Sequence, residues 1–172
     1  VDSSYLVIEN QQWKLDSANY ISFDTSMIHA NKLTFDNGKE IVAVDGFLSK
    51  TSGDRLNLDM RNFDIAHINT IAKLDKDLFA GIMNGQVHIS DVYNKPQLET
   101  NLTIDAFRLY GDTIGNMTIY SAYNSEKEVL SSSVNAIKGT AKIIDIKGDY
   151  FLNKETDNIN YSVQLNNLYI HP

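Results

Sequence analysis

The side chains best suited to chemistry are four histidines, His29, His67, His88 and His171. A metal site needs imidazoles at H-x-H or H-E-x-x-H spacing, so that two ring nitrogens reach one ion. None of the four has that spacing, and no acidic cluster adjoins one in sequence. Each therefore reads as a solvated or hydrogen-bonded strand histidine. The oxygens of Asp54, Asn57 and Asp59 could share one strand face, but their spacing is not that of a calcium loop. Gly81 and Gly85 precede a strand rather than a helix, so they read as a turn and not as a phosphate cradle. Ser131, Ser132 and Ser133 form a polar run with no base beside them. No carboxylate pair stands out for glycoside hydrolysis. The expectation is a non-catalytic chain without a catalytic residue, metal or cofactor.

Aromatic residues offer a different chemistry. Trp13, Tyr5 and Tyr20 lie near the start and Tyr110, Tyr120 and Tyr123 mid-chain. Exposed on a β-sandwich, such rings could stack on sugars. A carbohydrate-binding or adhesin-type module is thus the alternative to the reading developed below, although sheets favour aromatics in any case.

Composition narrows the partners. The chain has 172 residues, enough for one domain with its own core. Fifteen basic residues against 22 acidic ones give a formal net charge of −7. That balance argues against nucleic acid and against an anionic membrane surface. The absence of cysteine removes disulfides and thiolate chemistry, and fits a cytosol or a bacterial periplasm. No apolar run approaches a membrane span. The chain opens at Val1 without a methionine or a signal peptide, so it reads as a fragment of a larger protein, a single β domain over 1–172.

The elements that would position any site are strands. Leu56, Leu58 and Met60 alternate with Asn57 and Asp59, giving one apolar and one wet face. Val87 and Ile89, Leu102 and Ile104, Met117 and Ile119, and Tyr161, Val163 and Leu165 repeat the pattern. One-sided strands belong to antiparallel sheets. Asp36-Asn37-Gly38, Ser52-Gly53-Asp54 and Tyr110-Gly111 supply turns at hairpin spacing. One segment departs: Ile71, Leu74 and Leu78 fall at helical spacing, with Asn69 placed to cap and Gly81 to terminate. A short capping helix near 69–79 is expected.

The chain also resembles itself. Leu56-x-Leu58-x-Met60-x-Asn62-Phe63-x-Ile65 matches Tyr161-x-Val163-x-Leu165-x-Asn167-Leu168-x-Ile170. A shorter copy is Leu102-x-Ile104-x-x-Phe107-x-Leu109. Ile41 to Phe47 and Ile143 to Tyr150 lead into the first two copies, giving an internal repeat over about 41–65 and 143–170. Inside each copy the alternation slips by one residue. A slip sends the following side chains to the other face unless a bulge absorbs it. Bulges or kinks are therefore expected near Asn62, Ala106 and Asn167. Hairpins repeated with one bend predict an elongated, curled, all-β and mainly antiparallel sheet.

At this point the pattern resembles the C-terminal repeat region of TamB-like translocation and assembly proteins of the AsmA/TamB superfamily, in their Bacteroidetes form. The likeness covers Ile41 to Asp112, with the glycines Gly81 and Gly85 and the segment Pro96-x-Leu98-x-x-x-Leu102, and in part Ile143 to Ile170. Residues 1–40 match only in strand character. The resemblance implies a periplasmic segment of an inner-membrane-anchored parent, shaped as an open, taco-like sheet with an apolar lining. It implies phospholipid acyl chains or unfolded outer-membrane protein strands as cargo, an outer-membrane assembly partner, and no enzymatic residues. The lining would comprise Leu56, Leu58, Met60, Phe63, Ile65, Leu102, Ile104, Phe107, Leu109, Tyr161, Val163, Leu165, Leu168 and Ile170. For any single one of these residues, a place in a closed core is the default reading.

Overall fold

The structure is a computed structural model and describes residues 4–16 and 19–168. Its strands are β1 (Ser4–Ile8), β2 (Gln11–Leu15), β3 (Tyr20–Phe23), β4 (Ile28–Asp36), β5 (Ile41–Leu48) and β6 (Arg55–Asp64). A short helix α1 (Ala66–Ile71) follows, then β7 (Phe79–Ser90), β8 (Gln97–Leu109), β9 (Asp112–Asn124), β10 (Val129–Lys138), β11 (Ala141–Phe151) and β12 (Ile159–Leu165). All twelve strands join one open sheet in near-sequential order, with only β3 off the path, paired to β4. The pairs are antiparallel, as one-sided alternation requires. Among the described residues no second sheet faces the first, so they do not form the sandwich expected by the carbohydrate-binding alternative.

Residues opposite one another in an antiparallel ladder share a face. Phe35, Val42, Met60, Gly85, Leu102, Ile119, Val134, Ile146 and Val163 stand opposite one another in turn from β4 to β12. This row is apolar throughout. On the other face Asp59, Gln86, Asn101, Tyr120, Ser133, Lys147 and Ser162 form a polar row. A single sheet thus carries an apolar row across nine strands and, on its other face, a polar row across seven.

The predicted slips are bulges. The ladder shifts between Met60 and Phe63 and between Ile104 and Phe107. Asn62 and Ala106, the residues that absorb the shifts, have φ of 52° and 51°. Asn167 has a φ of 50°, but it lies beyond the end of β12, so it makes a bend after the ladder rather than a bulge within it. A further shift between Ala30 and Leu33 centres on Lys32, at φ 49°. The L-x-L pattern did not reveal this last one.

Two expectations need correction. The helix spans Ala66–Ile71 and not 69–79. Asn69 does not cap it. Its buried side chain instead donates to the carbonyls of Lys76 and Phe79 and accepts from the Phe79 N–H, pinning the loop that follows. Gly81 and Gly85 form no turn. Both lie inside β7, where the neighbouring backbone of β8 comes too close for a side chain.

The core sits at the bulged end of the apolar face. Residues from both sides of the bulges, among them Met60, Ile65, Met83, Ile104, Phe107, Ile114 and Met117, pack there against Ile68 of α1 and Phe79.

Candidate functional site

The candidate site is the apolar face itself. Of the lining residues expected from the repeat, Met60, Ile65, Leu102, Ile104 and Phe107 are buried in the core cluster. Leu56, Leu58, Phe63, Leu109 and Leu168 are half-buried. Tyr161, Val163 and Leu165 are exposed, at 40%, 58% and 54%. Ile170 lies outside the described residues. One face therefore grades from a packed end to an open end on β12, where Ile159 is also 66% exposed.

A band of hydroxyls crosses this face. Thr100, Ser121 and Ser132 stand opposite one another on β8, β9 and β10. Thr100 and Ser121 share a 3.1 Å bond, and Ser121 donates to the Leu98 carbonyl at 3.1 Å. Tyr161 leans across Gly148 and joins its hydroxyl to Ser132. Gly148 leaves room for the ring: a Cβ there would lie 2.7 Å from Tyr161 Cγ. Beyond the band is a second apolar space of about 470 Å³. Ile89, Leu98, Leu130, Tyr150 and Leu152 line it, and the Lys95–Glu128 ion pair stands at its rim. Glu128 holds the Lys95 ammonium above its usual range.

The opposite end is covered. Among the described residues, the hairpin β1–β2 joins β4 through two ladder positions, Lys14–Asp36 and Leu15–Phe35. Its tight turn then reaches α1. Glu9 Oε2 lies 3.0 Å from His67 Nδ1, and Thr70 donates its hydroxyl to Glu9. On the other ring edge Glu40 lies 3.1 Å from His67 Nε2. His67 is 2% exposed and packs edge-on to Trp13, itself 1% exposed, at 5.7 Å. Glu40 also accepts from the Asp64 N–H at 2.9 Å and from Asn37 Nδ2 at 2.9 Å. Burial pushes the Glu40 carboxyl up, but these donors and His67 outweigh it and hold the group below its ordinary range. The Thr70 hydroxyl is the largest influence on Glu9 and lowers it; burial opposes and His67 assists. Under the hairpin lies an entirely apolar space of about 290 Å³.

The residues considered for chemistry have other partners. His88 bonds Asn57 Oδ1 at 2.7 Å, and His29 stacks on Phe47 at 3.8 Å. Asp54 accepts from Ser49, and Asp59 accepts from Arg61 and Gln86. Ser131 donates to Asp149. His171 lies outside the described residues. Among the aromatics, Tyr5, Tyr20, Tyr110 and Tyr120 are exposed, but Trp13 is buried. Sequence reasoning missed the His67 cluster because its carboxylates lie 58 and 27 residues away along the chain. It also missed the hydroxyl band, for which Ser131-Ser132-Ser133 was the available signal.

No helix among the described residues is long and apolar enough to cross a membrane. No family model, curated protein or solved structure matches the chain.

Proposed function

We propose that the chain is a non-catalytic module whose apolar trough carries hydrocarbon chains, and that it works in envelope biogenesis as a TamB-like segment. The observation that supports this best is the unbroken apolar row from Phe35 to Val163 on an open sheet. At the β12 end its large side chains meet solvent, each forgoing part of the roughly 1.5–3 kcal/mol that full burial gives. An apolar strip of this kind, rimmed by polar residues, marks a surface that holds a partner. The favoured occupant is the acyl chain of a phospholipid, since the trough offers breadth and no charge along its floor.

The outer edge of β12, unpaired among the described residues, supports a second cargo for the same module. Ile159 to Leu165 carries no charge and no proline, the usual guards of an edge strand. An unfolded outer-membrane protein strand could add there by backbone pairing. On this reading the module lies in the periplasm, within an inner-membrane-anchored parent, and meets an outer-membrane assembly partner.

Photo-crosslinking tests the trough. A crosslinkable residue at Leu58 or Val163, with Asn57 and Ser162 as opposite-face controls, is expressed in a Gram-negative periplasm. Lipid adducts at the first two positions and not at the controls are expected. Folded protein with no adduct at either trough position would defeat the reading.

A further inference from the structure

We propose that the β1–β2 hairpin is a hinged cover over the N-terminal end of the trough, clasped by Glu9, His67 and Glu40, and that the space beneath it receives the end of a single alkyl chain. The inference rests on the trough reading and adds a site and its control to it.

Three observations carry it. The first is the attachment. Among the described residues, the hairpin's backbone meets the rest of the sheet at two ladder positions, both at its base. Everything beyond that base is held by side chains, so the hairpin can swing without breaking an extended ladder.

The second is the clasp. Each ring nitrogen of His67 faces a carboxylate oxygen, Glu9 on one side and Glu40 on the other. An ionised carboxylate only accepts, so satisfying both bonds takes one proton more than a neutral imidazole and two carboxylates hold. Glu40 and His67 belong to the body, fixed by β5, β6 and α1. Glu9 belongs to the hairpin and is the half that can leave. It occupies the first of two left-handed turn positions, at φ 50°, with Asn10 at 64°. That conformation is disfavoured for glutamate. Yet it is the one from which the side chain meets His67 and Thr70.

The third is what the cover hides. Leu6 and Ile8 of the hairpin and Ile71 of α1 border a space of about 290 Å³ over Leu58 and Met60, open to solvent past Leu6 and Ile71, with Trp13 beside it and no polar surface on its wall. Leu58 and Met60 are also trough residues, so the space continues the apolar face. A wall without donors or acceptors accommodates hydrocarbon and excludes a head group or a peptide backbone, whose polar atoms would lose their hydrogen bonds. A wholly apolar extension of the trough of this volume suits the methyl end of a single alkyl chain.

Trp13 is the only tryptophan of the chain, which makes it a reporter. The full chain is titrated with cis-parinaric acid, whose fluorescence reads occupancy anywhere in the trough. It is then titrated with two saturated fatty acids, one brominated at the terminal carbon and one beside the carboxyl group. Quenching of Trp13 by the first and much less by the second is expected. The double variant Glu9→Gln/Thr70→Val should take up cis-parinaric acid several-fold faster. Parinarate binding without Trp13 quenching, or quenching with unchanged uptake in the variant, would overturn the covered site and leave the trough reading standing. No parinarate binding at all would overturn both.

Discussion

The backbone N–H of Asn62 on β6 donates to Asn84 Oδ1 on β7 at 2.8 Å, so one strand's side chain holds its neighbour's bulge. The device recurs. Lys32 N–H donates to Asp45 Oδ1 at 2.9 Å, and Ala106 N–H donates to Asn116 Oδ1 at 3.0 Å. A bulge leaves one backbone donor out of the ladder, and here a short polar side chain from the next strand takes it. Replacing Asn84 by Leu removes the acceptor and should lower unfolding free energy by about 1 kcal/mol. Replacing Ala106 by Gly, at φ 51°, should raise it by up to about 1 kcal/mol, because the left-handed penalty of alanine exceeds the added chain entropy of glycine. Urea unfolding of both variants checks the pair of opposite signs; destabilisation by Ala106→Gly would contradict the strain argument.

Gly85 follows Asn84 and fixes the same junction from the other side. Its φ is 129°, and a Cβ would meet the Asn101 carbonyl oxygen at 2.0 Å. Both the dihedral and the space exclude a side chain, and the obstacle is backbone that cannot turn aside. Gly85→Ala should cost roughly 2–3 kcal/mol. The expected signature is a lower urea midpoint without loss of strand content in far-ultraviolet circular dichroism at low denaturant.

Much of this was legible in the residues. Alternation gives the two faces of the sheet, and the one-residue slip after Met60 and after Ile104 locates the bulges, because a bulge is the local way to keep apolar residues on one side. Asp45-Gly46 and Asn84-Gly85 were available as signals of the clamp, but Asx-Gly is ordinarily a turn signal, and here it sits mid-strand. The grading of the lining from core to open trough was not legible. Ile104 and Leu165 hold equivalent places in the repeat pattern, yet the first is buried in the core cluster and the second is exposed on the last strand. The Glu9–His67–Glu40 cluster was hidden for the same reason: its three residues meet only after the first hairpin has folded back.

Glu40 makes stability depend on acid. Burial raises its carboxyl, but donors from Asp64, Asn37 and His67 together hold the folded-state value below the ordinary 4.5. A depressed folded-state value means that ionised Glu40 stabilises the fold above about pH 4.5, and that this contribution is lost as pH falls through the folded value. Glu9, which reaches Glu40 through His67, is shifted in the same direction and loses its part in the same acid window. Glu40→Gln should therefore be less stable than the wild type at neutral pH and should show a shallower decline below pH 4.5. Thermal unfolding across that range measures both; parallel pH profiles would remove Glu40 from the account.

Ile104 and Val163 separate the enclosed part of the face from the open part. Ile104 is 4% exposed within the core cluster, whereas Val163 on β12 is 58% exposed. Asparagine at Ile104 would bury an amide without assured partners and lose aliphatic packing, at a cost of about 3 kcal/mol or more. Asparagine at Val163 would stand in water and change stability by about 0.5 kcal/mol or less. If the open part of the face carries hydrocarbon, Val163→Asn should nevertheless weaken cis-parinaric acid binding while the unfolding curve stays in place. An unfolding midpoint that drops as far for Val163→Asn as for Ile104→Asn would mean that the β12 end is closed in solution and that the trough is a core. Unchanged affinity in a stably folded Val163→Asn would instead confine the bound chain to the space between the hydroxyl band and the β1–β2 cover.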